Sequence, residues 1–360
     1  MPKRGSIGVR FAAFTALFLG LAALPASALS PALTYFTWAG YDLPIFHPAY
    51  HEKYGGEPAY AYFPDSEEAF QKLRQGYVGD IVHPCLPHIH RWQTEGLLQP
   101  IKPEKVTAWK DLSPALTENT SVHFANSYWM VPWEWGMSSL IYRSDKVQSP
   151  TSFQAILDPA FKGRVAIPDN VDEMSMLATL LAGIKDPYKL SDADFDKISE
   201  KMNELVAQAR FLWTDATTVN QAMASGEIDM FWGWPNTWVA LQKAGVPVTY
   251  MNNPQEGVVS WACGFVIPKN ARAGEDEIYD FINASLEPKA GKALIEKFGY
   301  GHSNLKSFEG IDAKTLQTMA LSSDVGAMLS RGNMLLAREE PQRKKLIELW
   351  EQAKLLGGAK

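Results

Sequence analysis

The chain has few of the features that mark an enzyme or a nucleic-acid binder. Only two of its 360 residues are cysteine, Cys85 and Cys263, which excludes a disulfide-dense scaffold. No Gly-rich phosphate cradle, G-x-S-x-G elbow or H-E-x-x-H helix occurs, so no motif supports catalysis, and neither an enzyme nor a cofactor is expected. The net charge is −6, from 34 Lys and Arg against 40 Asp and Glu, with no run of five or six basic residues. That balance argues against nucleic acid and anionic membranes, and it favours a cationic ligand. Past the first thirty residues no apolar run approaches the roughly 20 residues of a membrane span.

Residues 1–28 read as a secretory signal peptide. Lys3, Arg4 and Arg10 make a basic start, residues 11–24 an apolar run, and Pro25-Ala26-Ser27-Ala28 an A-x-A cleavage site. Cleavage after Ala28 leaves 332 of the 360 residues, enough for two domains in an exported chain. An oxidising compartment allows its two cysteines to pair.

Aromatic residues are abundant, with 12 Trp, 13 Tyr and 17 Phe, and several fall at the ends of expected strands. Alternating patterns predict a strand over 33–38, a helix over 44–54 closed by Gly55-Gly56, a strand over 57–63, and a helix over 67–75 capped by Ser66. A third strand, 79–82, precedes a helix running to Glu95. This order is the signature of a parallel α/β sheet. Further strands are expected over 139–142, 164–167, 246–250 and 261–267. Further helices are expected over 174–182, 192–212, 275–286, 289–298 and 339–355.

The stretch 225–245 is the centre of this pattern. An apolar segment, 228–234, meets a break at Pro235-Asn236-Thr237 and passes into a short helix, which places Trp232, Trp234 and Trp238 where a strand hands over to a helix. Ligands bind at such strand ends in α/β sheets, and the three rings suit a ligand platform better than plain core. In 128–135, Trp133 and Trp135 alternate about Glu134 and share a face if extended. The carboxylate between them is either a surface residue or a cation partner. His83, Cys85, His88 and His90 offer metal-ligating atoms, but two-residue spacing on a helix sends His88 and His90 to different faces. Asp169, Asp172 and Glu173 precede the helix at 174 and are either caps or ligand groups.

Taken in order, these pieces resemble the periplasmic solute-binding proteins of the spermidine/putrescine class, which deliver ligand to an ABC importer. The resemblance runs through Tyr35-Phe36-Thr37-Trp38, Asp80-Ile81-Val82, Glu95-Gly96-Leu97-Leu98-Gln99, Gly226-Glu227-Ile228 leading to Trp234, Ala244-Gly245-Val246-Pro247, Trp261, Ile267-Pro268-Lys269-Asn270-Ala271 and Phe298-Gly299-Tyr300. It implies an α/β fold of two lobes, 29–135 plus 262–307 and 136–261 plus 308–360, with the ligand in the cleft between them and lobe closure on binding. It further implies a periplasmic monomer partnered by an inner-membrane ABC permease.

Carried over by that resemblance, the aromatic walls of the ligand site fall on Trp38, Tyr41, Trp234, Trp261 and Tyr300. One ammonium-holding carboxylate falls on Glu173, while others are replaced by Gly40, Asn170 and Cys263. An amide position becomes Leu335, and a tyrosine position becomes Pro87. Cys85 and Cys263 both map onto pocket positions, as a disulfide if their Cα atoms lie within about 4.4–6.8 Å, or as two buried thiols. With one acid carried over, the implied cargo is an amine less charged than spermidine or a quaternary ammonium held by cation–π contacts. Alternatively, Glu134, Asp42 or Asp172 replaces the missing acids of a true polyamine site.

Overall fold

The computed structural model describes Met1 and residues 33–319 and 321–357; the expected signal peptide lies outside the described residues. Thr34–Thr37, rich in β-branched and aromatic residues, runs parallel to Ala59–Tyr62 on one side and Ile81–Val82 on the other. The helices Pro48–Tyr54 and Ser66–Arg74 connect these strands. Gly55, with φ 69°, ends the first helix in the left-handed conformation that glycine adopts at no steric cost. The cap of the second is Asp65 rather than Ser66, its carboxylate accepting from the Glu68 amide at 2.8 Å.

The second sheet is built on one long strand, Val131–Arg143, every residue of which except Arg143 is buried. Gly136 does not break it. Along its first half it pairs antiparallel with Val258–Phe265 and with Gly301–His302. Along its second half it pairs with Met230–Gly233 and Val248–Tyr250. Val165–Pro168 and then Ala209–Trp213 extend the sheet beyond Met230–Gly233, each in parallel.

Three expectations change. The helix from Asp192 stops at Gln208, because the next five residues are a strand paired with Val165–Pro168; helical spacing that continues into this short edge strand misled the reading. The helix expected from 174 begins at Val171, with Asn170 as its cap, so Asp172 and Glu173 lie within its first turn. Pro235 opens the helix Pro235–Lys243 instead of interrupting the chain before it, since a first-turn proline lacks only an N–H that has no helical partner. Among the described residues no helix is long and apolar enough to cross a membrane.

A candidate amine-binding site

The long strand carries the site. Opposite Cys263 and Gly264 its register slips, leaving Trp133 without a partner between Pro132 and Glu134, the mark of a β-bulge. The bulge puts Trp133 on the same side as Glu134 and sends Trp135 into a different core cluster; the two indoles therefore do not share a face. From Glu134 onward alternate residues face one way, so Glu134, Gly136 and Ser138 line one surface.

Their antiparallel partners are Cys263, Trp261 and Val259, and directly opposed residues put their side chains on the same side. The Trp261 ring lies over Gly136, where an added Cβ would sit 2.4 Å from ring atom Cζ2. Trp261 meets Tyr300 edge-on, with centroids 4.8 Å apart. Tyr300 packs on Phe298 at 5.5 Å, and Phe298 on Tyr41 at 5.3 Å.

Glu134 lies in this cluster and is 1 % exposed. One oxygen, Oε1, accepts a hydrogen bond from the Tyr41 hydroxyl and stands 3.4 Å from His83 Nε2. The other, Oε2, is buried without a hydrogen-bond partner among the described residues. His83 Nδ1 is 3.1 Å from both the Tyr35 hydroxyl and Thr37 Oγ1. Burial, and then the Glu134 carboxylate, hold the Tyr41 and Tyr300 hydroxyls well above the ordinary tyrosine pKa.

A second buried carboxylate, Glu173, faces the same strand. Its Oε1 accepts from Ser138 Oγ at 2.6 Å and from Trp234 Nε1 at 3.1 Å, and its Oε2 accepts from Trp232 Nε1 at 2.9 Å. Burial pushes its pKa up, and these three donors only partly offset the rise. The Asn170 side chain accepts from the Glu173 backbone N–H at 3.1 Å and so fixes the start of the helix.

The residues singled out from sequence thus fall into two linked groups. Tyr41, Trp261 and Tyr300 gather with Glu134; Trp234 and Asn170 attach to Glu173. Trp38 is half-buried and reaches the first group indirectly, donating from Nε1 to the His83 carbonyl at 2.8 Å. Cys85 and Cys263, antiparallel bridge partners, are joined by a disulfide with Cα atoms 3.8 Å apart, nearer than the expected window. The three-ring platform is not seen: Trp232 is fully buried and Trp238 packs with Tyr250 in the core, leaving Trp234 half-buried. Leu335, at 7 % exposure, belongs to the same core cluster as Trp261 and Tyr300.

The histidines do not converge. His88 Nε2 pairs with Asp172 at 2.9 Å, His90 stacks on Phe124, and Cys85 is committed to the disulfide. Among the described residues no three metal-ligating side chains come together. Of the acids proposed as replacements, Asp42 is exposed and Asp172 is held by His88, which leaves Glu134. Ser138, one of the donors that seat Glu173, was missed from sequence, and period-two alternation from Glu134 was the available cue; Trp232 was singled out as a ring and not as a donor to Glu173. The cavity lined by Phe36, Ala61, Tyr62, Lys72, Gln75 and Tyr77 contains none of these residues.

A crossed α/β architecture with rings and carboxylates gathered along one central strand defines a solute-binding fold of two lobes. Residues 49–320 match the family model of bacterial extracellular solute-binding proteins, and the chain belongs to that family. It is 25 % identical to the spermidine/putrescine-binding periplasmic protein of Escherichia coli K12, over 88 % of this chain and 93 % of that one. It is 24 % identical to the putrescine-binding periplasmic protein PotF of the same organism, over 82 % and 84 %. The solved structure of the spermidine/putrescine substrate-binding protein PotD from Streptococcus pneumoniae superposes with a TM-score of 0.74 at 21 % identity, covering 91 % of this chain and all of that one. That likeness establishes the shared fold.

Proposed function

We propose that the chain is the periplasmic solute-binding component of an ABC importer, carrying a polyamine or related small amine to an inner-membrane permease, without catalysis and as a monomer. The observation that carries this reading is the pairing of two buried carboxylates, Glu134 and Glu173, with the rings of Tyr41, Trp234, Trp261 and Tyr300. An ammonium leaves water at a cost of several kcal/mol unless a carboxylate or ring face takes over from its hydration shell. Each ring face contributes roughly 0.5–2 kcal/mol. The names of the curated relatives support the same ligand class.

In this reading the lobes are 29–135 plus 262–307 and 136–261 plus 308–360. Their two boundaries on the central strands are register partners, Gly136 opposite Trp261, so a single line across the sheet serves as hinge. The rings and acids are buried, and ligand reaches them when the lobes part. The pairs His88–Asp172 and Glu67–Arg343 cross between the proposed lobes and favour closure. The test is a melting curve with putrescine, spermidine or agmatine: a ligand at 100 times its Kd stabilises by about 2.7 kcal/mol. If none raises the melting temperature, the amine reading fails.

A further inference from the structure

We infer that Glu134 is the acceptor for the ligand's ammonium group, and that the site therefore selects a nitrogen bearing N–H over a fully methylated one. This rests on the amine reading above. Both Glu173 oxygens already accept from protein donors, three in all. Glu134 has one oxygen engaged and one buried without a partner among the described residues. Leaving a buried carboxylate oxygen unpaired is expensive, because the group loses water's hydrogen bonds and gains none in return.

Among the described residues no Lys or Arg side chain forms an ion pair with Glu134; its one basic neighbour within ion-pairing distance is His83, whose Nε2 faces Oε1 at 3.4 Å and leaves Oε2 without a partner. The Tyr41 hydroxyl and His83 fix the carboxylate from one side. Tyr41, Phe298, Tyr300 and Trp261 form a chain of edge-on rings beside it. A positioned carboxylate beside π faces is complementary to an ammonium with hydrogens to donate. A quaternary nitrogen satisfies the rings and leaves the oxygen unpaired.

The test is calorimetric titration of the full mature chain with putrescine and with its fully N-methylated counterpart. Wild type should prefer putrescine by at least tenfold. Glu134→Gln should lose at least tenfold in putrescine affinity, and its preference between the two ligands should collapse toward one; a purely structural role would not move that ratio. Glu134→Asp, which keeps the charge but withdraws it by one carbon, should weaken putrescine several-fold, with circular dichroism at the assay temperature showing the variant folded. Wild-type putrescine affinity in either variant overturns the inference and leaves the amine reading standing. If wild type binds neither ligand, the inference falls, and the melting curves with spermidine and agmatine decide whether the amine reading falls with it.

Discussion

Replacing Glu173 with Gln tests whether the buried carboxylate is the post around which the second group of side chains is set. Three donors converge on its two oxygens: Ser138 Oγ, Trp234 Nε1 and Trp232 Nε1. A glutamine offers one acceptor oxygen and one NH2, so at least one donor must face another donor. An orphaned buried donor costs about 1–3 kcal/mol, and that is the loss of unfolding free energy expected at pH 7. The pH dependence carries a second signature. Burial raises the Glu173 pKa, so the native state holds its proton more tightly than the unfolded chain, whose glutamates titrate near 4.3. Wild-type stability from this group is therefore full below about pH 4.3 and is lost as pH rises through the native pKa. Glutamine does not titrate, so the gap between wild type and variant should widen toward acid. Urea unfolding followed by circular dichroism at pH 4.5, 6 and 8 measures it. A gap independent of pH, or a variant as stable as wild type throughout, refutes the argument.

Gly136→Ala should move the Trp261 ring, since the new methyl would lie 2.4 Å from Cζ2; putrescine affinity measured by calorimetry should fall at least tenfold although no polar contact is removed, and unchanged affinity would show that the ring is not part of the wall. Thiol titration of the denatured, unreduced protein should find no free thiol, and reduction should lower the urea midpoint, because a bond across a sequence separation of 178 contributes about 5 kcal/mol in the chain-entropy model. Two reactive thiols would sink that expectation.

Much of the fold was legible because buried strands and capped helices announce themselves locally. The parallel strands around Thr34–Thr37 and the glycine closing Pro48–Tyr54 followed from pattern alone. Ala209–Trp213 did not, because nothing in its sequence separates it from the helix before it; it is a strand because Val165–Pro168 lies alongside to pair with it. The site was half legible. Trp261 and Tyr300, named by the resemblance, meet edge-on, and Glu173, named by it too, is buried. Glu134 remained undecided because a β-bulge at Trp133 determines which way it faces, and one extra residue in a ladder is a property of the pairing, not of either strand. The residue directly opposite Cys263, on the same face, is Glu134.

In the proposed site the charge count decides which ligand is preferred. The resemblance carried one acid over, Glu173, and left Glu134, Asp42 or Asp172 as replacements for the others; with Glu134 the proposed site has two, Glu134 itself and Glu173 held at Ser138, roughly 13 Å further along the extended strand. Each carboxylate can offset one ammonium. A third ammonium would enter without a partner, and an uncompensated buried charge costs several kcal/mol. Putrescine should therefore bind at least tenfold more tightly than butylamine, a difference of about 1.4 kcal/mol, and also more tightly than spermidine. Calorimetry on the three ligands at one ionic strength decides the matter, because surface attraction to a net charge of −6 would otherwise favour the most charged ligand. Spermidine binding tenfold more tightly than putrescine would mean that a third acceptor takes part. Butylamine binding as well as putrescine would mean that Glu173, already occupied by its three donors, receives no ammonium.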